Sequence, residues 1–204
     1  MARTEIPSYT INQLITAAHA NTYLKDNEAA HWALISDMDY ECNLIEEKLL
    51  TTTGYFLFTS IPQTYTNLEL IMSVRAVATT SQNLRLYFNG DGASNYDYQS
   101  MISSSTTVTA GEVFKSQGAL IGVIPGNGAT AGYFSGVRIF IPNYRRGYQK
   151  GAIVTHVSFE DTASLYTYAV HWRKTEAINK ITLNVQNANV NFVAGCVASL
   201  YGRL

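Results

Sequence analysis

A chain of 204 residues with 47% hydrophobic, 12% aromatic and 14% charged side chains can build a packed core, whereas a disordered chain carries more charge and fewer rings. The net charge of −1 excludes a general attraction to nucleic acid or to an anionic membrane surface. No apolar run reaches the roughly eighteen residues a bilayer span requires, and the opening MARTEIPSYT lacks the basic-then-apolar order of a secretory signal. The chain is therefore expected to be made in the cytoplasm and not to insert into a membrane. Its length suits one β domain with a small helical appendage.

Residues 1–50 hold three basic and eight acidic side chains, a net of −5, and the remainder carries +4, so the chain reads as two parts. Thr10 and Gln13 have the capping-box order that starts a helix. Beyond it, Leu24, Glu28, His31, Ile35, Met38, Cys42, Ile45 and Leu49 recur in alternating steps of three and four. A side chain repeating every 3.5 residues has to be covered by a partner helix. The oligomerising seam is accordingly assigned to Ile35, Met38, Cys42, Ile45 and Leu49, and isoleucine at both kinds of seam position favours three strands over two. The alternative is a single amphipathic helix lying on its own β domain. Glu28 marks where the seam loosens, and His31 would face the bundle axis as an interior histidine or a site for an anion or water. Cys42 and Cys196 lie far apart with no CxxC or Cys/His spacing, which suggests neither a disulfide framework nor zinc and predicts two buried small apolar residues.

From Gly54 the period shortens to β-branched and aromatic runs broken by Gly, Pro and Asn. Strands are expected at 54–61, 67–78, 83–89, 113–123, 132–141, 151–160, 164–172, 177–185 and 191–201. Leu68, Leu70, Met72 and Val74 alternate with polar neighbours, as do Leu84, Leu86 and Phe88, so one face of each strand is buried. Asn89–Gly92 and Pro125–Gly128 supply tight turns. The expected fold is mainly β: an antiparallel jelly-roll-like sandwich over 51–204, preceded by a helical docking and oligomerising arm over 1–50 that forms a short trimeric bundle.

Catalytic patterns are weak. The string Gly132–Gly136 has the wrong spacing for a nucleophile elbow, and no carboxylate stands at a spacing that would orient His156 or His171 as a base. Asn89, Asp91, Asn95 and Asp97 crowd one loop, but Ala93 occupies a position where a calcium loop needs oxygen, so a polar turn is expected. Glu160, Asp161 and Glu176 would act as a glycosidase pair only if the fold set two of them about 5 to 10 Å apart. No cofactor and no metal is expected. Tyr96 and Tyr98 in the Asn/Asp loop, and Tyr144, Arg145, Arg146 and Tyr148 in IPNYRRGYQK, fall in turn-rich segments expected to be exposed. Tyrosine and arginine anchor interfaces, and flat rings stack on sugar faces. These residues are therefore candidate contacts for a host glycan or protein, or alternatively cover the subunit seam. Arg145 and Arg146 form an isolated pair, too narrow a basic patch for nucleic acid.

The segment TINQLITAAHANTYLKDNEAAHW resembles one that opens many tailed-bacteriophage virion proteins. YTNLELIMSVRAVATTSQNLRLYFNGDGASNYDY and AINKITLNVQNANVNFVAGCVASLYG are similar to the first and last strands of the sandwich domain in phage tail-fibre and other surface structural proteins. The resemblance covers more than half of the chain and rests on the order of the segments. It implies a non-enzymatic structural subunit on the virion surface, oligomeric and often trimeric, anchored to another virion protein by its N-terminal arm. Tail fibre or receptor-binding tip is the favoured station, capsid decoration by a cement or head-fibre protein the alternative, and a polysaccharide-degrading enzyme the third reading. The absence of a long repetitive shaft raises the decoration reading.

Overall fold

The computed structural model describes residues 42–159, 163–186 and 191–204. The chain divides into two units, Met1–Glu41 and Cys42–Leu204, so the sandwich unit begins earlier than the expected residue 51. His31, Ile35 and Met38, and with them most of the expected helical seam, lie outside the described residues.

The second unit is mainly β. Its strands are β1 (Cys42–Leu49), β2 (Phe56–Phe58), β3 (Asn67–Val74), β4 (Gln82–Phe88), β5 (Tyr96–Ser104), β6 (Thr107–Ser116), β7 (Ala119–Ile124), β8 (Ser135–Ile141), β9 (Lys150–Phe159), β10 (Ala163–Trp172), β11 (Ile181–Val185) and β12 (Val197–Arg203). They form an eight-stranded sheet in the order β1-β12-β3-β8-β9-β10-β5-β6 and a four-stranded sheet in the order β2-β11-β4-β7, with antiparallel pairing throughout. The pairing is nested: β1 joins β12, β2 joins β11, β3 joins β8 and β4 joins β7. The β5–β6 and β9–β10 hairpins are inserted into this scheme and widen the larger sheet.

Two elements depart from expectation. Cys42–Leu49 is a strand, not the C-terminal part of a helix. The apolar spacing of Cys42, Ile45 and Leu49 fits a helix, but β12 offers a full set of backbone partners, and Leu50 extends the attachment by donating to Cys196 O at 2.9 Å. A register shift between Leu44 and Glu46 accommodates Ile45, which packs against the core. Cys42 is exposed, contrary to expectation, while Cys196 is buried as expected. The second departure is β5, where a loop was expected; the single expected strand at 113–123 is divided between β6 and β7, with positive φ at Lys115 and Gly118.

The inward faces carry the anticipated alternation. Leu68, Leu70, Met72 and Val74 from β3 and Leu84, Leu86 and Phe88 from β4 are all buried in one core with Phe56, Phe58, Trp172 and Phe192. Each fully buried side chain of this size contributes about 1.5–3 kcal/mol. The layers meet closely where β7 faces β9. Gly122 (φ +144°) lies so near His156 that a Cβ there would fall 1.6 Å from its Nδ1, while Tyr166 stacks on the imidazole at 4.9 Å.

Arg75, at the end of β3, is buried, and among the described residues no acidic side chain pairs with it. Its guanidinium instead donates to the carbonyls of Gly126 (3.2 Å), Asn127 (3.1 Å), Ala129 (2.6 Å) and Thr130 (3.1 Å), cinching the β7–β8 connection. Partial negative charge on four carbonyls does the work of a carboxylate.

Candidate interaction surfaces

The sequence-derived contact residues separate once the strands are placed. Tyr96 is fully buried: it packs beside Phe88 and Trp172, and its hydroxyl accepts from Phe88 N at 2.8 Å. Burial pushes its pKa above the ordinary tyrosine value. Tyr144 is also buried, its hydroxyl donating to Pro62 O and its carbonyl accepting from Ile178 N at 3.0 Å. Both were expected on the surface, because turn-forming neighbours gave no sign that the rings point inward. Tyr98 is half-buried on β5, edge-on to Tyr168.

Arg145, Arg146 and Tyr148 do lie on the surface, on a loop held from below. Lys150 is buried, and its ammonium donates to the carbonyls of Arg146 (2.6 Å), Tyr148 and Thr175 (3.2 Å), one for each N–H. Burial lowers its pKa, with the charge of Glu176 opposing. Arg145 is further tied to Gln63 O at 3.0 Å. The loop thus presents two arginines and one tyrosine on a fixed backbone.

The β5–β10 pairing sets His171 opposite Asp97, so a carboxylate does orient this histidine, contrary to the sequence reading. Nδ1 lies 3.0 Å from Asp97 Oδ2, and Nε2 lies 2.8 Å from Gln149 Oε1. Asp97 also accepts from Arg173 through Nε (2.9 Å) and Nη2 (2.8 Å), and from Lys115 N at 3.0 Å. The Arg173 hydrogen bonds, foremost, hold its carboxyl well below the usual range. With both imidazole nitrogens engaged, the arrangement fastens β5, β10 and the chain before β9.

The other polar residues of that loop are consumed similarly. Asp91 accepts from Trp172 Nε1 (2.8 Å), Asn95 Nδ2 (2.9 Å) and Ala93 N (3.0 Å); burial works to raise its pKa, and these hydrogen bonds outweigh it and bring the value down. Asn89 Oδ1 accepts from Asn179 N at 2.9 Å and Lys180 N at 3.2 Å. Among the described residues no group of three His, Cys, Asp or Glu side chains is placed to hold a metal ion. Glu160 and Asp161 lie outside the described residues, and Glu176 is exposed.

His156 is buried, with neither ring nitrogen in a hydrogen bond of normal geometry. Burial pushes its pKa down to about 4, the nearby Ile121 backbone opposing. The folded state therefore binds fewer protons than the unfolded state between about pH 6.5 and 4. Stability should fall by about 3 kcal/mol as the pH drops through that window. Asp97, ionised in the fold to still lower pH, adds its own loss only below its unfolded value of about 3.9. Urea unfolding from pH 7 to 4.5 should show the decline in the native protein and most of it abolished in His156→Leu; an unchanged pH dependence in the variant would refute the assignment.

A feature that the sequence reading missed is the outward face of the eight-stranded sheet. Cross-strand register aligns Leu49, Val197, Ser73, Gly136, Val157, Leu165, Ser103 and Val108 in one row across every strand. Ile71 and Met101 stand in the next row on one side of it and Leu44 and Ile153 in the row beyond that, and Leu49, Val108 and Ile153 are 60%, 65% and 57% exposed. Glu69 on this face is buried between Arg138 and Arg203 and neutralised by them, Arg203 Nε lying at 2.6 Å. A separate polar cleft of about 370 Å³ is lined by Ser81, Gln82, Asn83 and Gln186. No protein-family model, no curated protein and no solved structure matches this chain.

Proposed function

We propose that the chain is a non-enzymatic structural subunit of a tailed-bacteriophage virion, a jelly roll displayed as a homotrimer on the particle surface and anchored to another virion protein by its N-terminal arm. The observation that carries this reading is the nested strand pairing. First with last, second with second-to-last, and so inward to β4 with β7, is the order produced when one long antiparallel ribbon is rolled into two sheets, the architecture of viral capsid and lectin domains. The phage-like arm segment stands directly before that roll in the sequence. The chemistry of the polar clusters agrees: Asp97, Lys150 and Arg75 are each engaged by partners within the chain, as fasteners of the scaffold rather than groups poised for reaction.

The favoured role is host attachment as a tail fibre or receptor-binding protein. Arg145, Arg146 and Tyr148 on their braced loop are the candidate contacts with a host glycan or protein, acting from three copies at once. Antibody-labelled electron microscopy of intact and tail-less particles tests the reading. Label at the tail in a few tens of copies or fewer supports attachment; label over the head in hundreds of copies favours capsid decoration; no label on either particle overturns the virion assignment. The replacement of Arg145, Arg146 and Tyr148 by alanine should leave thermal stability nearly unchanged, within about 0.5 kcal/mol for each exposed site, while weakening adsorption to the host.

A further inference from the structure

We infer that the outward face of the eight-stranded sheet is the surface through which copies of this chain associate, a role the sequence had assigned to a helical seam ending at Leu49. The inference rests on the self-association in the proposed function and supplies its location. Monomeric soluble domains rarely leave so many large apolar side chains on one face in water, and here Leu49, Val157, Leu165 and Val108 share one row, with Ile71 and Met101 in the next and Leu44 and Ile153 in the row beyond.

Three properties suit a second copy of the chain. The first is charge. A face that meets its own copy must not repel it, and the row from Leu49 to Val108 contains no ionisable side chain. The next row carries Arg138 and Glu47, which accepts from Ser199 Oγ at 2.9 Å, and the row beyond carries Glu112 and Glu69, the latter neutralised by Arg138 and Arg203, so that acidic and basic groups are close to balanced across the face. The second is area. Eight strands spaced about 4.8 Å apart, with three rows about 6.8 Å apart, give a face of about 800 Å², close to the roughly 800 Å² per partner of a standard interface. The third is rigidity. The rows are fixed by backbone pairing across the sheet, so little ordering entropy opposes docking.

The test uses sedimentation of the full chain over a micromolar concentration series. The native protein should sediment as an oligomer. Ile153→Glu combined with Leu165→Glu places two carboxylates on adjacent inner strands of the face and should weaken association at least about a hundredfold. Tyr133→Glu, an exposed residue away from these rows, should leave association unchanged. Met101→Glu provides a second, single-site probe should the double variant fail to fold, with near-native circular dichroism as the check on each. Dissociation by the face variants alone supports the inference. An oligomer indifferent to them overturns it while leaving self-association intact. A monomeric native chain overturns both, and if the face variants of that monomer then fail to enter particles, a different virion protein is the occupant.

Discussion

Gly122→Ala should lower the stability of the sandwich by about 4 kcal/mol, the sum of overpacking in a filled core and of a side chain at positive φ. The added methyl would meet His156 Nδ1 at 1.6 Å, Cε1 at 2.4 Å and Cγ at 2.8 Å. The imidazole has no room to retreat, being buried with Tyr166 stacked on it at 4.9 Å. Either β7 lifts from the larger sheet or the ring is expelled, and each exposes core. A loss of this size is a large part of the 5–15 kcal/mol that holds a typical domain together. Thermal unfolding provides the measurement, and a double-mutant cycle with His156→Ala supplies the control. Removing the ring should recover at least about 1 kcal/mol of the Gly122→Ala loss, since neighbouring sites couple by that order. Additive losses, or a Gly122→Ala protein within 1 kcal/mol of native, would contradict the close approach of β7 and β9.

Arg75→Met should cost about 3 kcal/mol, or a melting-temperature drop of about 6 to 12 °C for a domain of this size. Methionine fills much of the buried space but abandons the carbonyls of Gly126, Asn127, Ala129 and Thr130, which have to find water. The damage should be local before it is global, with amide exchange rising first over residues 125–131. Arg75→Lys should rescue only in part, because one ammonium cannot span the four acceptors that a planar guanidinium reaches. Exchange rising uniformly across both sheets would show that Arg75 supports the core and not the connection.

These contacts are invisible in the sequence, for reasons that differ by element. β3 and β4 were legible because each buries one face, so Leu68 to Val74 and Leu84 to Phe88 alternate cleanly. β5 was not: its half-buried positions include Ser100, Ser104 and Ile102, too few of them apolar to register, and an Asn/Asp run precedes it. β1 misled because Cys42, Ile45 and Leu49 satisfy a helical period, while the pairing that makes them a strand comes from residues near the other end of the chain. The same distance hid the union of Asp97 with His171 and of Arg75 with the β7–β8 connection. The outward apolar face escaped notice because no single strand contributes more than two or three of its exposed large residues; it exists only in register.

Nested pairing also sets a timetable. β12 is the strip between β1 and β3, yet it is the last of the twelve described strands to leave the ribosome. Until Val197–Arg203 emerges, the nascent domain has two raw edges where the finished one has a seamless sheet, an opening that invites chaperones or neighbouring polypeptides. Closure joins residues at opposite ends of the unit, Cys42 with Arg203, which places maturation among the slower folding reactions. A premature stop before Val197 would therefore yield not a slightly shorter domain but one that never shuts.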